Sequence, residues 1–237
     1  MRELCLKCLK STKACLCSFI KPFETNSTFC ILMHPMEAYK EKVGTGRATH
    51  LFLKNSKLLI GVNFNDNKNF IKLVNDESYF PLILYPGENA INLSSKNSAD
   101  LAVLKDKKLL IIVIDGTWPC AKKIMRESTI LHSLPRLSFN NDNESNFSIK
   151  HQPDKYCLST IESVHKVINL LATHEIEKPS PNYHDLLKYL DEMVAFQIRC
   201  AQDPSKNFYR NKNFTKPIQR ERAKKWDKRN ILFSESI

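Results

Sequence analysis

At 237 residues and 42% hydrophobic, the chain is long enough for one domain with a substantial core plus a small appendage. It has no run of 18 apolar residues, which excludes a helical membrane span, and Met1-Arg2-Glu3-Leu4-Cys5 lacks the apolar stretch of a secretory signal, so a cytoplasmic protein is expected. Lysine and arginine outnumber the acids 36 to 25, a net charge of +11, which favours a polyanionic partner, most simply a nucleic acid.

Cysteine usage defines the first segment. Cys5, Cys8, Cys15 and Cys17 follow the pattern C-x2-C-x6-C-x-C, whereas Cys30, Cys120, Cys157 and Cys200 are scattered, mostly in apolar surroundings where a thiol acts as a small hydrophobe. Four thiolates on a short, core-poor segment fit a closed, structural zinc site, with Lys7, Lys10 and Lys13 offsetting their charge. Local disulfides and an iron–sulfur cluster are the alternatives, the former weakened by the missing export signal. Residues 1–21 are read as this zinc knuckle and 22–27 as a polar connector.

Next, Thr28–Met33 reads as a buried strand that stops at His34-Pro35-Met36-Glu37. A helix-like segment follows, interrupted by Gly44-Thr45-Gly46-Arg47 and resuming through Leu53. Leu58–Val62 is the next strand, residues 63–70 an Asn- and Asp-rich loop, and Pro81–Tyr85 a strand stopping at Pro86-Gly87-Glu88-Asn89. Leu109 to Ile114 are six consecutive aliphatic residues running into Asp115-Gly116-Thr117-Trp118-Pro119. Such a run without alternation marks a strand buried on both faces, and Pro119 suits the first turn of a helix. A short strand over 136–139, a polar loop over 140–148, helices over 158–173 and 184–202 and a basic tail over 210–229 complete the pattern. The alternation implies an α/β fold with a largely parallel sheet. The expected division is a knuckle (1–21), a main domain (22–209) and a basic tail (210–237).

Ligands of parallel sheets collect at the carboxyl ends of strands, where Asp115 lies. Asp115 and Thr117 can equally be helix caps. The chain has only five glycines, 44, 46, 61, 87 and 116, mostly at such junctions; each marks a positive φ or a close approach. Ser159-Thr160-Ile161-Glu162 is a capping box, and its helix N-terminus is also a carboxylate or phosphate site. His34, near Glu37, is a metal ligand, a base or a structural histidine, the last favoured because it has no partner at ligand spacing.

The Asp115-Gly116-Thr117-Trp118 segment resembles the D-x-T-W signature of the DTW-domain family, which includes the tRNA-uridine aminocarboxypropyltransferases. Four further segments resemble the family's motifs in order: Arg2-x2-Cys5-x2-Cys8 with Cys15-x-Cys17, His34-Pro35-x-Glu37 followed by Thr45-Gly46, Tyr85-Pro86-Gly87, and Gln152-Pro153 followed by Leu158-Ser159-Thr160-Ile161-Glu162. Val43-Gly44-Thr45-Gly46 lacks the family's Asn, and Lys150-His151 replaces its basic pair.

The resemblance implies a fold like that of the knotted SPOUT methyltransferases, with the knot on the C-terminal side. It also implies transfer of the 3-amino-3-carboxypropyl group of S-adenosylmethionine to N3 of a tRNA uridine, leaving 5′-methylthioadenosine. The uridine imide must lose a proton, and Asp115 is the candidate base, with Thr117 and Trp118 beside it; Trp118 stacks on a base or simply packs. Leu84, Tyr85, Pro86, Gly87 and Gly116 are implied to hold the adenine, and Ser159, Thr160 and Glu162 the donor's carboxylate. With tRNA as partner, Arg47, Lys212, Lys216, Arg220, Arg222, Lys224 and Lys225 are candidate RNA contacts. A monomer is expected, with an oligomer left open. An S-adenosylmethionine-dependent RNA methyltransferase and a non-catalytic, zinc-containing RNA-binding protein are the alternative readings.

Overall fold

The structure, a computed structural model, describes residues 3–95, 101–150 and 154–203. Six strands form one wholly parallel sheet in the order β2-β1-β5-β3-β6-β4. They are β1 (Thr28–Met33), β2 (Ser56–Ile60), β3 (Phe80–Leu84), β4 (Ile91–Asn92), β5 (Leu109–Asp115) and β6 (Arg136–Ser138). The helices are α1 (Pro35–Tyr39), α2 (Gly46–Phe52), α3 (Lys68–Val74), α4 (Trp118–Glu127), α5 (Thr160–Thr173) and α6 (Asp185–Gln202). A main compact unit runs to Ala195, and a second begins at Phe196. Among the described residues no helix is long and apolar enough to cross a membrane.

The aliphatic run of β5 occupies the centre because both its faces are covered. Leu109, Ile111 and Val113 join Phe29, Leu82 and residues of α2, α5 and α6 in one core, while Leu110 and Ile112 join Cys30, Leu32, Ile83, Ile124 and Met125 in a second. Strand alternation divides these residues between two layers, so a polar substitution anywhere from Leu109 to Val113 meets a dry environment. Burial also pushes the Cys30 thiol up to about 12, as suits a packing residue.

Several expectations need correction. The loop over 63–70 gives way at Lys68 to α3, which is capped by the Asn67 side chain accepting from the Phe70 N–H at 3.0 Å. In an Asn-rich stretch the cap is hidden among its neighbours, and the helix is fixed by Phe70 packing on Phe64 at 5.7 Å. β2 lies two residues earlier than expected, because Ser56 and Lys57 pair with Phe29 and Cys30. Residues 44–47 do not interrupt one helix; α1 ends at Tyr39 and Gly46 is the first residue of α2. β4 has only two residues, too few for any periodicity to reveal. No glycine has positive φ, whereas Leu9, Asp106 and Glu175 do, each at 59°. The glycines therefore mark close approaches.

At the amino edge of the sheet the fold depends on one buried carboxylate. Glu177, 2% exposed, accepts from the Asn26 N–H at 2.7 Å and the Ser27 N–H at 2.9 Å, joining the chain after α5 to the segment entering β1. Glu177→Ala leaves these amides unpaired and should lower unfolding free energy by about 2–4 kcal/mol. Urea denaturation checks this; an unchanged midpoint would show that the tie is dispensable.

Candidate active site at the carboxyl edge of the sheet

Because every strand is parallel, the ends of β1, β5 and β3 open onto one edge. Met33 is in register with Asp115, and the His34 N–H donates to the Asp115 carbonyl at 2.9 Å. The chain then turns through Gly116 into α4. A Cβ on Gly116 would lie 3.0 Å from the Cys120 Cβ and 3.5 Å from the His34 Cβ, so this turn is close-packed on both sides. Thr117, exposed, is the N-cap residue without a side-chain cap bond, and half-buried Trp118 begins the helix ahead of Pro119.

The Asp115 carboxylate points to the face covered by α2 and α5 and is 3% exposed. Its Oδ1 accepts from Thr160 Oγ1, in the first turn of α5, at 2.6 Å. Its Oδ2 is buried and has no hydrogen-bond partner among the described residues. A Cβ on Gly46 would fall on the carboxylate itself, so only glycine lets α2 start here. Burial drives the Asp115 pKa up from 3.8 to about 6, and the charge of Glu37 adds to the rise; the Thr160 hydroxyl, Lys150 and the Gly46 amide act against it.

Two other buried carboxylates hold the surroundings. Glu37 of α1 takes Lys150 Nζ at 2.9 and 3.1 Å, with Glu41 at 3.6 Å from the same ammonium. Glu162 accepts from the Ser159 N–H at 2.7 Å while its own N–H donates to the Ser159 side chain, the capping box expected from the sequence, and the carboxylate also accepts from the Ser159 hydroxyl at 2.5 Å. It also accepts from the Ser145 hydroxyl at 2.8 Å and the Asn146 N–H at 2.8 Å. The loop leading to Lys150 is thus pinned to α5 at one point and to α1 at another. Thr160 touches the Asp115 carboxylate, while Ser159 and Glu162 spend these hydrogen bonds within the protein.

On the neighbouring strand, Tyr85 N–H donates to the Leu137 carbonyl at 3.0 Å, and Arg136 Nη1 donates to the Pro86 carbonyl at 3.0 Å. The Arg136 guanidinium lies 5.6 Å from the Tyr85 ring centroid, and a Cβ on Gly87 would run into it. Leu84 to Gly87 are therefore a fixed turn. Arg47 is half-buried in the first turn of α2, next to Gly46. Sequence reasoning passed over Arg136, and it named Lys150 only within the Lys150-His151 pair and Gly46 only as a scarce glycine and as part of Thr45-Gly46, without the contacts that either makes. Gln152, Pro153, His151 and the six basic residues Lys212, Lys216, Arg220, Arg222, Lys224 and Lys225 lie outside the described residues.

The four N-terminal cysteines come together away from disulfide geometry. All are free, and their sulfurs lie within 4.8 Å of one another, with Cys5–Cys17 at 3.9 Å and Cys8–Cys15 at 3.8 Å. A tetrahedron of sulfurs bound to zinc at about 2.3 Å has an edge of about 3.8 Å, so the set fits a metal. The Cys8 and Lys7 backbone amides bring the Cys5 thiol down to about 6. Leu9, immediately after Cys8, takes the left-handed turn that closes the knuckle. Lys10 Nζ contacts Met193 Sδ at 3.3 Å and the Tyr189 hydroxyl at 3.5 Å, joining the knuckle to α6.

Against known proteins, the family model for the DTW domain matches residues 2–198. The chain is 28% identical to a protein of Macaca fascicularis named tRNA-uridine aminocarboxypropyltransferase 2, over 94% of this chain and 74% of that one. Proteins of the same name from Drosophila melanogaster and Mus musculus are each 27% identical, covering 92% and 94% of this chain and 85% and 74% of theirs. No solved structure matches the chain.

The raised pKa of Asp115 has a defined sign in stability. The folded state holds this proton more tightly than the unfolded state, so the contribution is full below about pH 4 and is lost as pH rises through about 6. Asp115→Asn should remove that dependence. The wild-type denaturation free energy minus that of the variant should fall by about 2.4 kcal/mol between pH 4 and pH 7, and a flat difference would show that the carboxyl titrates normally.

Proposed function

We propose that this chain, which belongs to the DTW-domain family, is a tRNA-uridine aminocarboxypropyltransferase that forms 3-(3-amino-3-carboxypropyl)uridine in tRNA. One observation carries the mechanism: a buried carboxylate at the end of the central strand, with one oxygen unpartnered and a pKa near 6. S-adenosylmethionine supplies a sulfonium-activated γ-carbon, which takes the N3 electron pair as the carbon–sulfur bond breaks and its electrons pass to sulfur, releasing 5′-methylthioadenosine. Asp115 Oδ2 accepts the imide proton of the uridine. A carboxylate with pKa near 6 is a better acceptor than one at 3.8 while still ionised at neutral pH.

The other residues position. Thr160 fixes the Asp115 carboxylate through Oδ1 and so leaves Oδ2 as the oxygen free to accept the proton. The fixed turn from Leu84 to Gly87, together with Gly116, is suited to an adenine through backbone groups. The start of α5 at Ser159–Thr160, capped by Glu162, is suited to the donor's carboxylate. Thr117 and Trp118 flank the reacting atoms at the head of α4. Selection of the γ-carbon over the methyl is a matter of how these contacts orient the donor.

The strand order, in which β5 enters between β1 and β3 and α5 returns against β5, supports a SPOUT-like fold with its knot on the C-terminal side. Residues 1–21 form the zinc knuckle, 22–209 the catalytic domain and 210–237 a basic tail. Cys5, Cys8, Cys15 and Cys17 hold a structural zinc, with no position open for catalysis. Arg47 and the basic residues over 210–229 contact the tRNA backbone, and the target nucleotide is turned out to reach Asp115. The protein works as a cytoplasmic monomer.

Incubation of the protein and undermodified tRNA with S-adenosylmethionine labelled separately in the carboxyl and methyl carbons tests this reading. Carboxyl label should enter RNA and be lost in Asp115→Asn, with donor binding kept; methyl label in RNA marks a methyltransferase, and no label a non-catalytic binder. For the knuckle, metal analysis of the purified protein should find about one zinc per chain. Cys17→Ser should lose it and unfold at lower denaturant, and a wild type that holds no metal would discard the zinc site.

A further inference from the structure

His34 has one nitrogen spent and one unspent. Its Nδ1 accepts from the Met36 N–H at 3.1 Å, capping α1, so in the neutral ring the proton sits on Nε2. Burial, and then the charge of Lys123, hold the pKa below the ordinary histidine value, while Glu37 acts the other way. The residue is 7% exposed, yet Nε2 has no partner among the described residues. A buried N–H left unpaired costs on the order of 1–3 kcal/mol, so a protein keeps one where something else completes it.

Its position says what that is. His34 follows β1 directly, and its backbone N–H is bonded to the carbonyl of Asp115. In the alternation of β1 it follows Cys30 and Leu32 on the α4 side, while Asp115 follows Ile111 and Val113 on the α5 side. The two adjacent strand ends thus carry the two buried unpartnered side-chain atoms found among the described residues, a donor at His34 and an acceptor at Asp115. A ligand lying across the carboxyl ends of β1 and β5 meets both.

We propose that His34 is a ligand-contacting residue of the active site, donating a hydrogen bond from Nε2–H to an oxygen acceptor that is either a carbonyl of the target uracil or the carboxylate of the donor. This rests on the transferase reading above. Loss of the uracil N3 proton spreads negative charge onto the flanking carbonyls, so a preset neutral donor there favours the transition state over the ground state. On the donor carboxylate the same hydrogen bond would serve binding.

Two substitutions separate the ring's two jobs. Asn at position 34 can still cap α1 through its side-chain oxygen but has no group where Nε2 was; Gln can place an N–H there but gives up the cap. H34N should fold with an unchanged midpoint and transfer about 10- to 100-fold more slowly, and H34Q should recover part of that rate despite a weaker fold. Equilibrium dialysis with labelled S-adenosylmethionine and no RNA identifies the acceptor. Donor affinity falling in step with rate identifies the carboxylate, whereas unchanged affinity with a slower single turnover identifies the uracil carbonyl. H34N with wild-type affinity and rate, or H34Q no faster than H34N, overturns the inference while leaving the transferase reading intact. A wild type that transfers nothing overturns that reading, and this inference with it.

Discussion

A carboxylate at the end of a strand covered on both faces is the constraint from which the rest of this edge follows. Water is excluded from Asp115 by the same packing that makes β5 the centre of the sheet. Its stabilisation must therefore come from the protein, and the two groups in reach come from far along the chain. Thr160 gives the one strong hydrogen bond, and Gly46 gives space. Neither substitutes for water fully, which is why the carboxyl holds its proton to about pH 6. A carboxyl group of this kind is produced by incomplete solvation, so the unpartnered oxygen and the raised pKa are one fact seen twice.

The other carboxylates work in the opposite sense. Glu37 is nearly as buried as Asp115 but is ion-paired to Lys150, and Glu162 accepts from three residues, Ser145, Asn146 and Ser159. Their anchoring holds the loop that follows β6 against both α1 and α5. Glu37 raises the Asp115 pKa and Lys150 lowers it, so the two partners of the ion pair act against each other at Asp115, and burial is the largest influence. Removing either partner of that pair would leave an uncompensated charge beside Asp115.

What was legible in the sequence was local. The aliphatic runs of β1, β3 and β5 declared themselves, as did the capping box of α5, because each signal fits within one element. The cysteine cluster was legible for the same reason: thirteen residues contain all four thiols. What was not legible depends on distance. Lys150 meets Glu37 across 113 positions and Arg136 meets Pro86 across 50, and neither lysine nor arginine carries a mark of it in a chain with 36 basic residues. Glycine was half-read. Its rarity pointed to tight places, but the left-handed turns fall on Leu9, Asp106 and Glu175, so here glycine serves proximity and not conformation.

The knuckle also belongs to this economy of long-range ties. Its segment has little core of its own, since Leu4, Leu6 and Leu9 are exposed, but Leu16 enters the main core and Lys10 reaches Tyr189 and Met193. Tyr189 in turn packs edge-on against Phe52 of α2 at 5.8 Å, in the helix whose first residue is Gly46. A continuous line of contacts therefore runs from the cysteines through α6 and α2 to the wall of the Asp115 site. A metal at the cysteines would stabilise the end of that line without touching the substrate. Its removal should then act first on the packing that holds Gly46 against Asp115, and only through it on the chemistry.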